Sequence, residues 1–280
     1  MAVATQTWVN GKPAVSLALP DRGLDYGDGL FETMLVQEGC VPWLQYHVQR
    51  LQDGMLRLGF DSACSGAAKG HIASALGHSR ISGIMRLTVT RGGGPRGYAP
   101  AESAEPNYII QLHETDDAGQ PRLAPARVGR SGVTLSIQPL LAGIKHLNRL
   151  EQVLAARERQ LRGLDEMLLL DTKGNVISVI SGNIFLVKGN QLLTPCLDEC
   201  GILGTRRRLM LDELGPYLGL ECRETSIGEG DLALADEVFY CNSVRGFQPF
   251  GSYRDHCWSQ HSIVEQIQSA YRQRLSSCDA

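Results

Sequence analysis

Lysine is scarce in this sequence, and positive charges do not outnumber negative ones. Only five of the 27 basic residues are lysine, and the 30 acidic residues bring the formal net charge to -3. Proteins that bind nucleic acids usually carry an excess of basic residues. The charge balance therefore argues against a nucleic-acid partner, and the few lysines can be considered one at a time.

Cysteine pairs and long apolar runs are also missing. The eight cysteines include no CxxC pair, and the closest two, Cys196 and Cys200, have neither histidine partners nor a second pair to complete a zinc site. No run of about 18 apolar residues and no basic-then-apolar leader occurs. We therefore expect no metal site and no membrane partner, and we expect a cytoplasmic protein with free thiols.

Periodic segments are what the sequence does contain. Met85, Leu87 and Val89 alternate with polar residues, which predicts a strand over 84–90 with one buried face. Apolar residues at helical spacing predict an amphipathic helix over 44–59. The other predicted strands are 7–10, 30–37, 107–113, 132–138, 167–171, 176–180, 184–187 and 237–241, and the other predicted helices are 147–162, 205–218 and 261–275.

This alternation of strands and helices fits two α/β domains. Glycine, proline and aspartate concentrate between 114 and 127, which is typical of a connecting segment. The predicted division is an N-terminal α/β domain over 1–113, a linker over 114–127, and a C-terminal domain over 128–280 that contains Lys145.

A GxGxxG pattern at 92–97 directly follows the strand predicted over 84–90. A dinucleotide-binding loop would need a helix to begin there, because the helix N-terminus holds the pyrophosphate. Pro100 comes too soon for a helix. The better interpretation is a mobile loop that presents Arg96 and Tyr98.

Lys145 differs from the other lysines because it follows the apolar segment 140–144 and precedes the helix predicted over 147–162. A lysine that loses hydration has a lowered pKa and becomes nucleophilic. A lysine at a helix start can instead extend its amine into water. The spacing alone leaves both interpretations open.

Two further places offer anion ligands. His47 and Arg50 lie three residues apart, near the core boundary of the helix over 44–59, where they form either part of a phosphate site or a solvated surface pair. The helix over 205–218 begins after Gly204, so backbone N–H groups at 204–206 can bind an anion. None of these candidates is decisive alone.

Six motifs, taken in chain order, resemble those of the fold-type-IV pyridoxal-phosphate enzymes. This family includes branched-chain and D-amino-acid aminotransferases and aminodeoxychorismate lyases. KHLNRLEQVLA, RGxGxRGY and Phe31 before Glu32 resemble the lyases in particular. The motifs are DRGLDYGDGLFET (21–33), HVQRL (47–51), TRGGGPRGY (90–98), LAGIKHLNRLEQVLA (141–155), SGNIFLV (181–187) and CGILGTRR (200–207).

The resemblance implies a two-domain α/β fold, with a small N-terminal α/β domain and a larger barrel-like C-terminal domain. It implies pyridoxal 5'-phosphate as cofactor and a homodimer with its sites between the domains. Lys145 matches the lysine that forms a Schiff base with the cofactor. The matching cofactor-binding residues are Arg50, Asn183, Gly204, Thr205 and Arg206, and the matching substrate-binding residues are Phe31, Arg96, Tyr98 and Asn242.

One position departs from the family pattern. Ser178 stands five residues before Asn183, where the family usually has a glutamate that faces the pyridine nitrogen of the cofactor. A serine weakens the protonation of that nitrogen, on which transamination depends.

The activity implied by the resemblance is conversion of 4-amino-4-deoxychorismate into 4-aminobenzoate and pyruvate, with Lys145 as general base and proton donor. Two alternatives stay open. One is a D-amino-acid or branched-chain aminotransferase of the same fold, and the other is a catalytically impaired homologue that keeps the cofactor.

Overall fold

The computed structural model describes residues 5–77, 80–101, 104–115, 118–119 and 124–276, and the chain forms two compact units. Among these residues, unit 1 comprises those up to Gly119 together with Ile144–Asn148, and unit 2 comprises the others. The division differs from the predicted one, because the segment that bears Lys145 belongs to unit 1.

The described part of unit 1 contains a five-stranded antiparallel sheet in the order β2-β1-β5-β4-β3. Its elements are β1 (Thr5–Val9), β2 (Lys12–Pro13), α1 (Arg22–Tyr26), β3 (Gly29–Val36), α2 (Leu44–Arg57), α3 (Cys64–Leu76), β4 (Gly83–Thr90) and β5 (Asn107–Glu114).

The core of unit 1 follows from the alternation in β4 and the spacing in α2. Met85, Leu87 and Val89 are all buried, as their alternation with polar residues predicts. Leu51 and Met55 are buried on α2. Burial of these side chains stabilises the unit by about 1.5–3 kcal/mol each.

Helix α3 is an element that the sequence patterns did not predict. Its buried residues include Cys64, Ala68, Ile72 and Leu76, which are four apart and therefore lie along one face. Small residues, including two glycines, make up most of the rest of its sequence, so the apolar stripe contrasts little with its surroundings. Lys69 lies inside this helix and is exposed.

The segment 144–148 lies along β3. The Phe31 N–H donates to the Lys145 carbonyl at 2.9 Å, the Leu147 N–H donates to the Gly29 carbonyl at 3.0 Å, and Leu30 bridges to His146. These bonds keep the segment extended, so the helix predicted from 147 begins only at Leu150.

Unit 2, as far as it is described, contains a nine-stranded mixed sheet in the order β11-β10-β9-β12-β13-β6-β7-β8, with β14 paired to β13. Its strands are β6 (Ala126–Leu135), β7 (Glu166–Asp171), β8 (Val176–Val179), β9 (Asn183–Lys188), β10 (Gln191–Pro195), β11 (Glu221–Thr225), β12 (Glu237–Asn242), β13 (Gly246–Tyr253) and β14 (His256–Cys257). Its helices are α4 (Leu150–Leu161), α5 (Thr205–Leu209), which continues through a π-helical turn (Met210–Leu214) into α6 (Gly215–Tyr217), a 3-10 turn (Glu229–Asp231) and α7 (Ser262–Ser276).

The two ends of this sheet approach each other. The Val176 N–H, at the start of β8, donates to the carbonyl of Ile227, which lies just beyond β11, and Asn175 bridges to Gly228. The sheet therefore curls into a barrel-like form around a core that includes Phe250 and Ile184. The predicted fold class is confirmed.

The predicted linker is shorter than expected at both ends. Glu114 belongs to β5, and β6 begins at Ala126 because Ala126 pairs with Phe250 of β13. Residues 116, 117 and 120–123 lie outside the described residues. No described helix is long and apolar enough to span a membrane, and no described group of three or more histidine, cysteine or acidic residues could hold a metal ion.

Candidate active site

Lys145 lies against Phe31 in unit 1. Its Nζ is 4.3 Å from the centroid of the Phe31 ring, which is within the range of a cation–π contact. The backbone bonds between 145–147 and β3 hold the lysine on an extended segment, and its side chain is half-buried. The structure thus brings together two residues that the sequence motifs single out.

Arg86 contacts the same aromatic ring. Its Cζ lies 4.1 Å from the Phe31 centroid, and burial lowers the pKa of its guanidinium. No described carboxylate forms an ion pair with it. Two cationic side chains therefore meet at one ring, which favours the binding of an anion nearby.

Arg50 and His47 are buried partners of Glu32. Arg50 Nε donates to Glu32 Oε1 at 2.8 Å, Arg50 Nη2 also donates to Glu32, and His47 Nδ1 lies 2.6 Å from Glu32 Oε2. The Glu32 side chain is only 2% exposed and that of Arg50 only 10%. The solvated surface pair that the sequence leaves open is therefore wrong for both residues.

The ionisation of Glu32 follows from these contacts. Burial by itself raises the pKa of this carboxyl, but Arg50 and His47 outweigh it and lower the pKa from its usual 4.5 to about 2. Glu32 is therefore a carboxylate at neutral pH. The bidentate contact fixes the plane of the Arg50 guanidinium.

Phe31 and Glu32 are neighbours on β3, so their side chains point to opposite faces of the sheet. Lys145 contacts the first and Arg50 the second. Both cationic residues are thus held by one strand of unit 1.

Arg96 and Tyr98 lie in the loop that follows β4. No helix begins there, as Pro100 predicts, and both side chains are exposed, that of Tyr98 by 88%. The Tyr98 ring packs edge-on against Tyr26, with 5.6 Å between the centroids.

In unit 2, Gly204 caps the N-terminus of α5 and Thr205 begins it. The Thr205 Oγ1 is buried and has no hydrogen-bond partner among the described residues. The first N–H groups of a helix also lack partners within the helix. This end of α5 therefore offers a hydroxyl and several N–H groups to an anion.

Asn183 and Gly204 lie side by side. Asn183 Nδ2 donates to the Ile202 carbonyl at 2.9 Å, and a Cβ on residue 204 would overlap Asn183 Oδ1. Gly143 pairs with Ile202, and its backbone exchanges hydrogen bonds with Gly201 and Leu203. The segment that leads into α5 is therefore hydrogen-bonded to Gly143, which is two positions before Lys145 in the chain.

The remaining predicted residues serve local structure as well. The Arg206 side chain is buried, and its Nε donates to the Tyr271 hydroxyl at 3.0 Å. Asn242 Oδ1 accepts from the N–H groups of Val244 and Arg245, which closes a turn after β12. Ser178 is half-buried on β8, opposite Leu169.

The sequence patterns did not single out the roles of Glu32 and Arg86. Arg86 occupies one of the polar positions in the alternation of β4, so the pattern does not distinguish it from the other polar residues of the strand. Glu32 is surrounded by buried residues on β3, and a charged residue in a buried strand is a signal that a pairing cation lies nearby.

Comparisons with known proteins agree on one family. The family model described as amino-transferase class IV matches residues 29–253. The aminodeoxychorismate lyase of Vibrio harveyi is 34% identical over 250 residues, which cover 86% of this chain and 89% of the relative. The D-alanine aminotransferase of Bacillus licheniformis is 27% identical over 84% of this chain and 82% of its own length.

Among solved structures, the 4-amino-4-deoxychorismate lyase of Pseudomonas aeruginosa is 38% identical and superimposes with a TM-score of 0.87, covering 96% of this chain and 99% of that one. The length of these matches excludes a likeness confined to a few motifs. The chain belongs to the class IV aminotransferase family.

Proposed function

We propose that this protein is a pyridoxal-phosphate-dependent lyase that converts 4-amino-4-deoxychorismate into 4-aminobenzoate and pyruvate. The observation that carries the proposal is the placement of Lys145, whose amine lies over Phe31 on a segment fixed to β3. The relatives named as aminodeoxychorismate lyases support this activity over the others of the family.

The residues present fit the cofactor. The buried Thr205 hydroxyl lacks a partner among the described residues, and together with the N–H groups at the start of α5 it would bind the phosphate. Arg50 would add a guanidinium whose plane is set by Glu32. Asn183 would lie beside the ring, and Lys145 would hold the cofactor covalently.

The bound cofactor supplies an electron sink next to the amine-bearing carbon of the substrate. Lys145 Nζ removes the proton from that ring carbon and delivers a proton to the methylene carbon of the departing enolpyruvyl group. The ether bond to the ring breaks, and the ring electrons close the aromatic system. Lys145 thereby ends the cycle in the protonation state in which it began.

The substrate contains two carboxylates, since each of the two products keeps one. Arg96 would bind one of them in bidentate fashion, with Tyr98 and Asn242 nearby on the substrate side. Arg86 adds a second guanidinium, on the same ring as Lys145. Two arginines suit a substrate with two carboxylates better than a monocarboxylate amino acid.

Ser178 favours the lyase over a transaminase. A carboxylate at this position would stabilise a protonated pyridine nitrogen, and a neutral hydroxyl cannot do so to the same extent. Aromatisation gives the lyase a driving force that transamination lacks. Lyase activity therefore tolerates the serine, and we expect side transamination of D-alanine to be very slow.

The test of the activity is incubation of the purified holoenzyme with 4-amino-4-deoxychorismate while 4-aminobenzoate and pyruvate are quantified by chromatography. Lys145→Ala should abolish both products, and Lys69→Ala, at an exposed position of α3, serves as the matched control. Amino-group exchange with 2-oxo acids in place of 4-aminobenzoate would overturn the lyase assignment.

Two further measurements test the assigned residues. After borohydride reduction, the mass of the cofactor should be found on the peptide that contains Lys145, and a label on Lys69 or Lys188 would refute the assignment.

Ser178→Glu should raise transamination of D-alanine more than the lyase rate. An unchanged ratio of the two rates would contradict the role given to Ser178.

The proposal extends to assembly and pathway. Leu150 and Leu161 on α4 are exposed by 77% and 79%, as is expected of a surface that a second subunit covers in a homodimer. Sedimentation at micromolar concentration distinguishes a dimer from a monomer. Because 4-aminobenzoate is a precursor of folate, the proposed reaction belongs to folate biosynthesis. We expect it to take place in the cytoplasm.

A further inference from the structure

The backbone of the loop that carries Arg96 accepts hydrogen bonds from a buried arginine. Arg22 Nη1 donates to the Gly97 carbonyl at 2.9 Å and Arg22 Nη2 donates to the Tyr98 carbonyl at 2.6 Å. The Arg22 side chain is only 4% exposed. One guanidinium thus holds the two peptide carbonyls that directly follow Arg96.

Arg22 is itself fixed by Asp28. Arg22 Nε lies 3.0 Å from Asp28 Oδ2, and the same oxygen accepts from Arg91 Nε at 2.8 Å. Arg91 in turn donates to the carbonyls of Leu58 and Gly59, beyond the end of α2. The chain of contacts runs from the end of α2 to the loop without passing through solvent-exposed side chains.

Tyr26 adds a second support. Its hydroxyl accepts from the Gly97 N–H at 3.3 Å, its ring packs against Tyr98, and the Arg22 guanidinium lies 4.7 Å from its centroid. The contacts that Tyr26 makes with the loop engage Gly97 and Tyr98, and Arg96 stays exposed. The backbone beside Arg96 is therefore held while its guanidinium faces outward.

We propose that Arg22 is a positioning residue that presents Arg96 to a carboxylate of the substrate, with Asp28 and Tyr26 fixing it in place. The inference rests on the substrate-binding role proposed above for Arg96. A free loop loses conformational entropy when it binds a ligand. A loop that is already fixed avoids this loss, so it binds the carboxylate more tightly. Lysine cannot replace Arg22, because a single ammonium lacks the planar fork that joins two carbonyls and a carboxylate.

The first test measures the loop without reference to activity. Trypsin cleaves after arginine, and the Arg96–Gly97 bond lies in the exposed loop. In holoenzyme with Arg22→Lys, the initial rate of cleavage at this bond, followed by mass spectrometry, should rise about tenfold, since at least one charge-assisted hydrogen bond is lost. Tyr26→Phe, which removes only the hydroxyl contact, should raise the rate less.

Arg127→Lys is the matched control. Arg127 also contacts a carbonyl, that of Gly163 at 2.7 Å, and a carboxylate, that of Asp165 at 3.2 Å, but it lies in unit 2. Cleavage after Arg96 should stay at the parent rate in this variant. Equal rates in the parent, the Arg22 variant and the Arg127 variant would overturn the anchoring role.

The second test is a double-mutant cycle of steady-state kinetics. Arg22→Lys should raise KM for 4-amino-4-deoxychorismate roughly tenfold with little change in kcat, because a contact common to ground and transition state weakens. In an Arg96→Gln background the same substitution should have no further effect. An equal loss in both backgrounds means that Arg22 does not act through Arg96, which refutes the proposal.

The two tests separate this inference from the proposed function. If the protein makes no 4-aminobenzoate, the proposed function fails, and faster cleavage in Arg22→Lys still establishes the anchor. If it makes 4-aminobenzoate and neither cleavage nor KM changes, the positioning role fails alone.

Discussion

Two buried glutamates, one in each unit, have pKa values shifted in opposite directions. Glu32 on β3 and Glu166 on β7 are both only 1% exposed. Burial raises the pKa of each, but the pKa of Glu32 is lowered to about 2 and that of Glu166 stays raised. Equal burial therefore does not decide the direction in which the pKa of a carboxyl shifts.

The partners of the two carboxyls explain the difference. Arg50 and His47 contact Glu32, and the cationic guanidinium stabilises its anionic form. Glu166 accepts a 2.5 Å hydrogen bond from the Ser181 hydroxyl and a 3.0 Å bond from the Met167 N–H. These bonds, together with a smaller contribution from the charge of Arg159, lower its pKa less than burial raises it. A guanidinium in direct contact with the carboxylate compensates for burial, and hydrogen bonds from neutral groups with a weaker charge contribution do so only in part.

The comparison bears on function, because of the two glutamates only Glu32 contacts a proposed cofactor ligand, Arg50. Glu32 fixes Arg50 and offsets part of its charge, so Arg50 is oriented before any phosphate arrives. Among the described residues Arg96 has no such carboxylate, and Arg22 instead donates to the backbone carbonyls of the two residues that follow it.

Glu32→Gln is expected to have the largest effect. It leaves the buried Arg50 without its carboxylate, which costs about 3–5 kcal/mol of the free energy of unfolding. Glu166→Gln should cost no more than about 1 kcal/mol, because the carboxamide keeps neutral hydrogen bonds. Urea unfolding of both variants measures the difference. Equal costs would show that burial matters more than the charge of the partner.

The pH dependence of stability should separate the two sites next. The pKa of Glu32 is lower in the folded protein, so its contribution of about 3 kcal/mol is present above pH 4.5 and is lost as the pH falls towards 2. The free energy of unfolding of the parent should therefore fall more steeply over this range than that of Glu32→Gln. Parallel curves for the two proteins would contradict the lowered pKa.

Glu166 should show the opposite sign and a smaller effect. Its pKa is raised in the folded protein, so the folded state binds its proton more tightly and loses stability as the pH rises above the usual carboxyl pKa. Glu166→Gln cannot ionise, and it should gain stability relative to the parent as the pH rises from 4 to 7. A gain on lowering the pH instead would mean that the pKa of Glu166 is lowered in the folded protein.

Ser181→Ala is expected to have the smallest effect, about 1 kcal/mol, since it removes one hydrogen bond to Glu166. The hydroxyl lowers the pKa of Glu166, so its loss should raise that pKa further. Titration of the Glu166 carboxyl carbon by NMR measures the change. A lowered pKa would show that Ser181 accepts the bond and stabilises the neutral form.

The sequence predicts elements whose pattern is periodic and misses those whose pattern is weak. The alternation in β4 and the helical spacing in α2 are both found in the structure. Helix α3 was missed because alanine, serine and glycine surround the stripe formed by Cys64, Ala68, Ile72 and Leu76. The sequence pattern places the start of α4 too early, because residues 145–147 are extended along β3 and are not helical.

For the site, local patterns found residues but not their partners. The sequence singled out Arg50 and Arg96, and the structure adds that Glu32 holds the first and Arg22 the loop of the second. Arg22 lies 75 residues from Gly97 in the chain, and contacts of that separation leave no local periodicity.

The sequence by itself determined the family, the candidate lysine and most of the strands, because motifs and periodicity are properties of neighbouring residues. Only the tertiary structure decided that Lys145 lies along β3 in unit 1, that Glu32 is charged and that Glu166 has a raised pKa. The pKa of a buried carboxyl depends on which distant side chains fold against it. That information exists only once the chain has folded.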